Sequence, residues 1–495
     1  MKNLQYGLPL VGKRRKAYDN LEELLESVSE QYKDNVAFIS EEQGVEQQIA
    51  YQEFGIHCRR SAGVISGKVR QGDRVAIFMS PSHQWIEAFF AVTILGAVAV
   101  LLPSEKSAEF YCTAMKKINC VGIIYDEKTE KIVREMNCIY EVPIQYRYEE
   151  LSHMKACTYE KPVIKRETPA AIFFTSGTTG ENKAVVASHR NIVISSYNPA
   201  TRAACDRDGI YLALLPLYHI FGLTCGLLTF LYGGMTIVVN DSNQNLFRNI
   251  MQYKPCFLAL VPSMARALSG IVVQQGINKV LPNLDALVVA GAATESRILD
   301  VFMENEVTVF QGYGTTECGI VSSTCGEKFC ANSIGTAFEH NEFKIVDHEI
   351  WVKGDTVFLG YLNPAYNAEV FEGEWFKTGD LGRYDNHGNI YITGRKKFVI
   401  VTEDGENISP EEVEEELYQI PYIIECLVYE SKGPDGAVVI GVDIFTEEAK
   451  FEQCKAAVLA WNETQPVYRR IRHISYRNSG FEKNQMQKMI RNRSV

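Results

Sequence analysis

The stretch Ile172-Phe173-Phe174-Thr175-Ser176-Gly177-Thr178-Thr179-Gly180-Glu181-Asn182-Lys183 constrains the fold more than any other part of the chain. A short apolar, aromatic run reads as a buried strand, and it stops abruptly in a loop of hydroxyls and glycines closed by one lysine. Such a loop suits a polyphosphate. Glycines let backbone N–H groups approach oxygens, Ser and Thr hydroxyls donate hydrogen bonds, and Lys183 adds a point charge. The spacing Gly-x-x-Gly-x-x-Lys, followed by Ala184, differs from G-x-x-x-x-G-K-[ST], which has a longer gap and a hydroxyl for magnesium after its lysine. A kinase or GTPase of that type is therefore disfavoured. Taken alone, the loop also reads as a polar turn between two strands.

The chain's 495 residues are many for one core and imply at least two domains. With 46% hydrophobic and 22% charged residues, the composition is that of an ordinary globular protein. A net charge of −11 argues against nonspecific nucleic-acid binding, although local loops still hold phosphate in an acidic protein. Lys13-Arg14-Arg15-Lys16 is followed by no apolar core, so the N-terminus does not read as a signal peptide. The longest apolar stretch, Ala88 to Leu102, is too short for a membrane span and reads as a buried helix followed by a strand. The 13 cysteines are scattered, and without an export signal they point to reduced thiols in a cytoplasmic protein.

From about Leu21 to Gly394 amphipathic helices alternate with short apolar strands such as Arg74–Phe78, Gly122–Tyr125 and Ala286–Ala290. This pattern predicts an α/β fold of layered sheets covered by helices. After Gly394-Arg395-Lys396-Lys397 the texture changes. Ser409-Pro410-Glu411-Glu412 starts a helix, with Ser409 as cap, Glu412 completing a capping box, Val413, Leu417 and Ile420 as the buried stripe, and the glutamates facing solvent. Strand-like Cys426–Tyr429 and Ala437–Val442 complete a small α+β domain. The boundary falls near Lys397, giving domains 1–396 and 397–495.

Other segments carry chemistry. Ala290-Gly291-Ala292-Ala293 follows a strand with small residues only, which lets a flat base lie against the backbone. In Gln311-Gly312-Tyr313-Gly314-Thr315-Thr316-Glu317 the aromatic is placed to stack on a purine, Thr316 to donate to a phosphate, and Glu317 to hold magnesium against a triphosphate. Asp380, in Lys377-Thr378-Gly379-Asp380, is a turn carboxylate suited to ribose hydroxyls, and Arg395 supplies a guanidinium for ribose or phosphate. Near the end stands Lys483-Asn484-Gln485-Met486-Gln487-Lys488.

In this order these segments resemble those of the adenylate-forming enzymes, the superfamily of acyl-CoA synthetases, adenylation domains and luciferases. The motif likeness points most to bacterial long-chain acyl-CoA synthetases. The resemblance implies a large N-terminal AMP-binding domain with an acyl pocket and a small mobile lid. It also implies an acid–thiol ligase that uses ATP, Mg2+ and CoA, or the phosphopantetheine of an acyl carrier protein. Lys488 takes the role of the adenylation lysine and Lys397 that of the interdomain hinge. Gly405 and Glu406 fall on the loop presented to the thiol. Three departures stand out: Ala184 and Ala292 where glycine is usual, and Asn484–Gln487 in place of the Thr-Pro-x-Gly before the final lysine.

Within Tyr211–Val239, which holds Leu215-Pro216-Leu217-Tyr218-His219, there is no Asp or Glu. A substrate ammonium would lack a partner there, so an uncharged fatty or aryl acid is favoured over an amino acid. His219 reads either as pocket wall or as a packed core group. A nucleotide-binding protein without ligase activity is the alternative of another class.

Overall fold

The computed structural model describes residues 15–491 except 43–44, 104–105, 152, 176–182, 204–207, 241, 325–332, 403–405, 434–436 and 484–488. The chain divides into two compact units. The first is Met1–Ala331 with Gly335–Glu342 and Val352–Phe376; the second is Asn332–Ile334, Phe343–Trp351 and Lys377–Val495. The second unit takes in residues 377–396, which the change in sequence texture assigned to the larger domain.

The first unit is built on two large sheets. In the nine-stranded sheet Thr308–Thr315, Ala286–Ala290, Phe257–Leu260, Ile210–Ala213, Thr236–Val239 and Val36–Glu42 run parallel in that spatial order, and antiparallel strands extend it at both ends. Ala286–Ala290 is buried at all its positions, as a parallel strand covered on both faces must be. Its Leu287 and Val289 join Leu212, Leu258, Leu260 and Phe302 in one apolar core. The seven-stranded sheet has the spatial order Gly360–Tyr361, Ala184–Ser188, Pro169–Phe174, Val98–Leu101, Arg74–Phe78, Gly122–Tyr125, Ile144–Arg147. Ala88 to Leu102 folds as expected: the end of helix His83–Thr93, then strand Val98–Leu101, with each residue buried.

Helix Leu21–Gln31 begins where Asn20 accepts a hydrogen bond from the Glu23 N–H at 2.9 Å. Its buried face carries Leu21, Leu24, Leu25 and Val28. No helix of the described residues is long and apolar enough to cross a membrane.

The second unit contains the hairpin partner strands Trp375–Tyr384 and Ile390–Arg395, the first entering it from Lys377 onward. It also contains a three-stranded sheet of Glu425–Lys432, Val438–Phe445 and Ile471–Arg477. Helices Pro410–Leu417 and Phe451–Glu463 complete its core with Val413, Leu417, Cys454 and Val458. Ser409 caps the first of these by accepting from the Glu412 N–H at 3.4 Å. One expectation is corrected here: Glu414 does not face solvent but is buried. Its carboxylate accepts from the Val428 N–H at 2.7 Å and pairs with Arg491. A cation from the distant C-terminal segment makes that burial tolerable, and helical periodicity alone carries no trace of it.

Glu87, inside helix His83–Thr93, is buried 97% because two polar groups reach it: Tyr148 donates its O–H, and His57 Nδ1 lies 3.1 Å from Oε1. The Glu87 hydrogen bond outweighs burial and raises the His57 pKa above 6.5. A raised folded-state value means that the proton favours the folded form. This contribution is complete below pH 6.5 and is lost as pH rises through the folded-state pKa. Urea midpoints of the wild type are expected to fall more steeply than those of His57→Gln across that window. Parallel pH profiles would contradict the pairing.

Candidate active site

Strands Pro169–Phe174 and Ala184–Ser188 form an antiparallel hairpin with Phe174 opposite Ala184. Thr175 donates its N–H to the Lys183 carbonyl at 3.0 Å, which closes the base of the glycine-hydroxyl loop. Ser176, Gly177, Thr178, Thr179 and Gly180 lie outside the described residues. The Lys183 ammonium sits over two rings, 4.8 Å from the centroid of Tyr361 and 4.7 Å from that of Tyr366. Tyr361 belongs to the edge strand paired to this hairpin, opposite Val185.

The second group stands on the other sheet. Strand Thr308–Thr315 places Gly312 beside Ala290, so Gln311–Thr315 and Gly291–Ala293 emerge at neighbouring strand ends. Gly291 turns the chain with φ 99°, and Ala292 and Ala293 are exposed. Gln311 is buried and donates its N–H to Thr324 Oγ1 at 2.9 Å, while the Tyr313 ring, read as a stacking surface, is buried. Thr315 pairs with Gly319 across a tight turn that carries Thr316 and Glu317, both half-buried. The Glu317 N–H donates to Thr315 Oγ1 at 3.2 Å and its carbonyl accepts from the Phe358 N–H at 2.8 Å.

The two groups meet at one hydroxyl. Tyr361 donates to Glu317 Oε1 at 2.8 Å while its ring carries the Lys183 ammonium. Lys183 and Glu317, far apart in sequence and on different sheets, therefore share a neighbour. Burial, reinforced by the Glu317 charge, raises the Tyr361 pKa, so the hydroxyl stays a donor. Sequence reasoning missed Tyr361. The only signal was an aromatic after Gly360 in the run Phe358-Leu359-Gly360-Tyr361.

A magnesium ion suits this carboxylate. Magnesium takes one or two carboxylates and completes its shell with phosphate oxygens and water. Glu317 offers such a ligand, and among the described residues no group of three His, Cys, Asp or Glu forms a metal cage without a nucleotide.

Beside Ala290 and Gly312 lies a narrow cavity of about 30 Å³. Its walls include Phe221, Phe230, Phe257, Phe310 and Phe338, and among the described residues Arg202 is its one charged lining residue. Arg202 donates to the Ser323 carbonyl at 2.8 Å and stacks 4.5 Å from the Phe338 centroid. Helix Ile220–Leu223 continues through a π-helical turn at Thr224–Leu228, which widens the helix where Cys225 joins the wall. His219 precedes this helix, with its ring 4.7 Å from that of Tyr218, and is not among the lining residues.

In the second unit, Asp380 and Arg395 are register partners, and Arg395 Nε is 2.5 Å from Asp380 Oδ1. The two residues read as ribose ligands thus contact each other. Lys397 lies in the turn Lys396–Phe398 with its ammonium 4.6 Å from the Phe398 centroid. Glu406 is exposed and donates its N–H to Thr402 Oγ1 at 3.2 Å. Gly405 and Lys488 lie outside the described residues.

The Glu317 turn depends on Gly314. A Cβ there would stand 1.8 Å from the Gly319 carbonyl oxygen, which is backbone and cannot step aside. Gly314→Ala is expected to lower unfolding free energy by roughly 1–3 kcal/mol, measured by urea titration. An unchanged midpoint would show that the turn tolerates a side chain.

The family described as AMP-binding enzyme matches residues 25–362. The chain is 25% identical over 425 residues to a 2-succinylbenzoate–CoA ligase of Bacillus cytotoxicus, covering 81% of this chain and 85% of the relative. It is 27% identical to the 4-coumarate–CoA ligase-like 6 protein of Arabidopsis thaliana, covering 83% and 79%. Among solved structures, O-succinylbenzoate coenzyme A synthetase from Bacillus subtilis in complex with AMP superposes with a TM-score of 0.80 at 25% identity, covering 95% of this chain and 97% of that one. These relatives do not carry the expected leaning toward long-chain fatty acids. The match spans both sheets, the Lys183 hairpin, the Glu317 turn and Tyr361, and the chain belongs to the AMP-binding enzyme family.

Proposed function

We propose that this enzyme is an AMP-forming acid–thiol ligase that activates an aromatic carboxylic acid and passes the acyl group to CoA. The observation that carries the reading is the meeting of Lys183 and Glu317 at Tyr361, with a phenylalanine-walled cavity lined by Gly312 and Ile320 of the strands that flank the Glu317 turn. A cation and a carboxylate set side by side suit a triphosphate and its magnesium. The phenylalanine walls suit a flat ring, because aromatic rings gain from edge-to-face and offset contacts beyond simple burial. The names of the 2-succinylbenzoate, O-succinylbenzoate and 4-coumarate relatives point to the same acid class.

In the first step the acid's carboxylate attacks the α-phosphorus of ATP and displaces pyrophosphate. Both reactants are anionic, so the site must offset their repulsion and stabilise the charge on the leaving group. Magnesium on Glu317 supplies charge neutralisation along the triphosphate. Lys183 and the Thr175–Gly180 loop hold the terminal phosphates, with Thr316 donating beside them. Gly291–Ala293 and Gln311–Thr315 form the bed for the base, and Asp380 and Arg395 bind the ribose. Lys488 orients the carboxylate and the α-phosphate. In the second step the CoA thiol attacks the acyl carbon and releases AMP. Between the steps the lid 397–495 turns about Lys397, withdrawing Lys488 and presenting Gly405 and Glu406 to the thiol.

ATP–pyrophosphate exchange with a panel of carboxylic acids tests this. Benzoic and cinnamic acid types are expected to support exchange well above hexanoate or palmitate, with AMP and pyrophosphate as products. ADP formation, or preference for the alkyl acids, would overturn it. Lys183→Ala is expected to lower exchange about 100-fold. Lys488→Ala is expected to abolish adenylate formation yet spare thioester formation from supplied aryl-AMP; equal loss in both steps would refute its role.

A further inference from the structure

Tyr361 is held from every side. Its N–H donates to Asn367 Oδ1 at 2.7 Å, and its carbonyl accepts from Asn367 Nδ2 at 3.2 Å. Its ring packs edge-on against Phe358 at 5.0 Å and Tyr366 at 6.0 Å. The approach to it is fixed too: Asn191 Nδ2 donates to the Asp355 and Val357 carbonyls, each at 2.8 Å, and the Arg190 guanidinium pairs with Asp355 at 2.8 Å. A side chain so anchored has one place for its hydroxyl, and Glu317 Oε1 occupies it. The other Glu317 oxygen accepts no hydrogen bond among the described residues.

We propose that Tyr361 is a positioning residue with two separable actions: its hydroxyl fixes the Glu317 carboxylate for magnesium, and its ring, with that of Tyr366, keeps the Lys183 ammonium at the hairpin mouth, ready for phosphate. Hydrogen-bonded partners that orient a metal ligand commonly change metal affinity 10- to 100-fold when removed. A ring under an ammonium restricts a long flexible side chain, and that pre-placement favours anion binding with or without metal. The inference rests on Glu317 being the magnesium carboxylate.

The two actions separate by substitution. Tyr361→Phe keeps the ring and removes the donor; Tyr361→Leu removes both. Binding of ATP to the full-length enzyme is measured by calorimetry, in magnesium and in EDTA. Tyr361→Phe is expected to weaken binding at least about tenfold in magnesium and less than about twofold in EDTA. Tyr361→Leu is expected to weaken both, and Tyr361→Phe to add nothing when Glu317→Gln is already present. Equal losses in the two buffers, no loss with Tyr361→Phe, or a full loss persisting on Glu317→Gln would overturn the proposal. Should Tyr361→Phe fail to fold, Tyr366→Leu tests the lysine half: unchanged affinity in EDTA would overturn that half. If Glu317→Gln alone leaves the magnesium response intact, the assignment of Glu317 itself has failed, which separates that failure from one of Tyr361.

Discussion

The hydrogen bond from the Tyr361 hydroxyl to the Glu317 carboxylate joins an edge strand of the seven-stranded sheet to a turn of the nine-stranded one. A bond to a charged acceptor in a half-buried setting is worth about 2 kcal/mol. Its importance exceeds that figure because it sets geometry. Each sheet alone presents half of the proposed phosphate site: a hairpin with its lysine, or a turn with its carboxylate. The tyrosine gives the halves a common reference point. The Arg190, Asn191 and Asp355 contacts hold the segment leading to it, so helix His189–Arg202 also takes part in placing Glu317.

Most of the architecture was legible in the sequence because local patterning and burial agree. Ala286–Ala290 reads as an all-apolar strand and is one; Ala88–Leu102 reads as a helix and a strand, both inside. Ser409-Pro410 marks a helix start, and the helix begins there. The failures come where partners lie far away in sequence. Glu414 was assigned to solvent by periodicity, but Arg491 and the Val428 N–H receive it. Residues 377–396 read as part of the large domain, yet Thr378 donates to the Ile350 carbonyl and Gly379 and Lys396 donate to the Glu349 carboxylate, which ties them into the second unit.

The site was legible as composition but not as contacts. Glycines, hydroxyls, Lys183 and Glu317 announce a nucleotide because few other ligands need that mixture. That Lys183 rests on two tyrosines, or that Asp380 bonds to Arg395, depends on strand register between segments which no local pattern specifies. The cavity shows the same limit. The absence of acidic residues in Tyr211–Val239 was visible, whereas its five phenylalanines come from four separate regions and gather only through the fold. His219, singled out from its neighbours, precedes the helix whose Phe221 and Cys225 line the wall, and is not itself a lining residue.

The most direct test of this account is a crystal structure of the enzyme with Mg2+ and a non-hydrolysable ATP analogue. The triphosphate is expected between the Lys183 ammonium and the Glu317 carboxylate, with the metal bound to Glu317 and the Tyr361 hydroxyl still on that carboxylate. Nucleotide seated elsewhere, or a metal that does not touch Glu317, would contradict it.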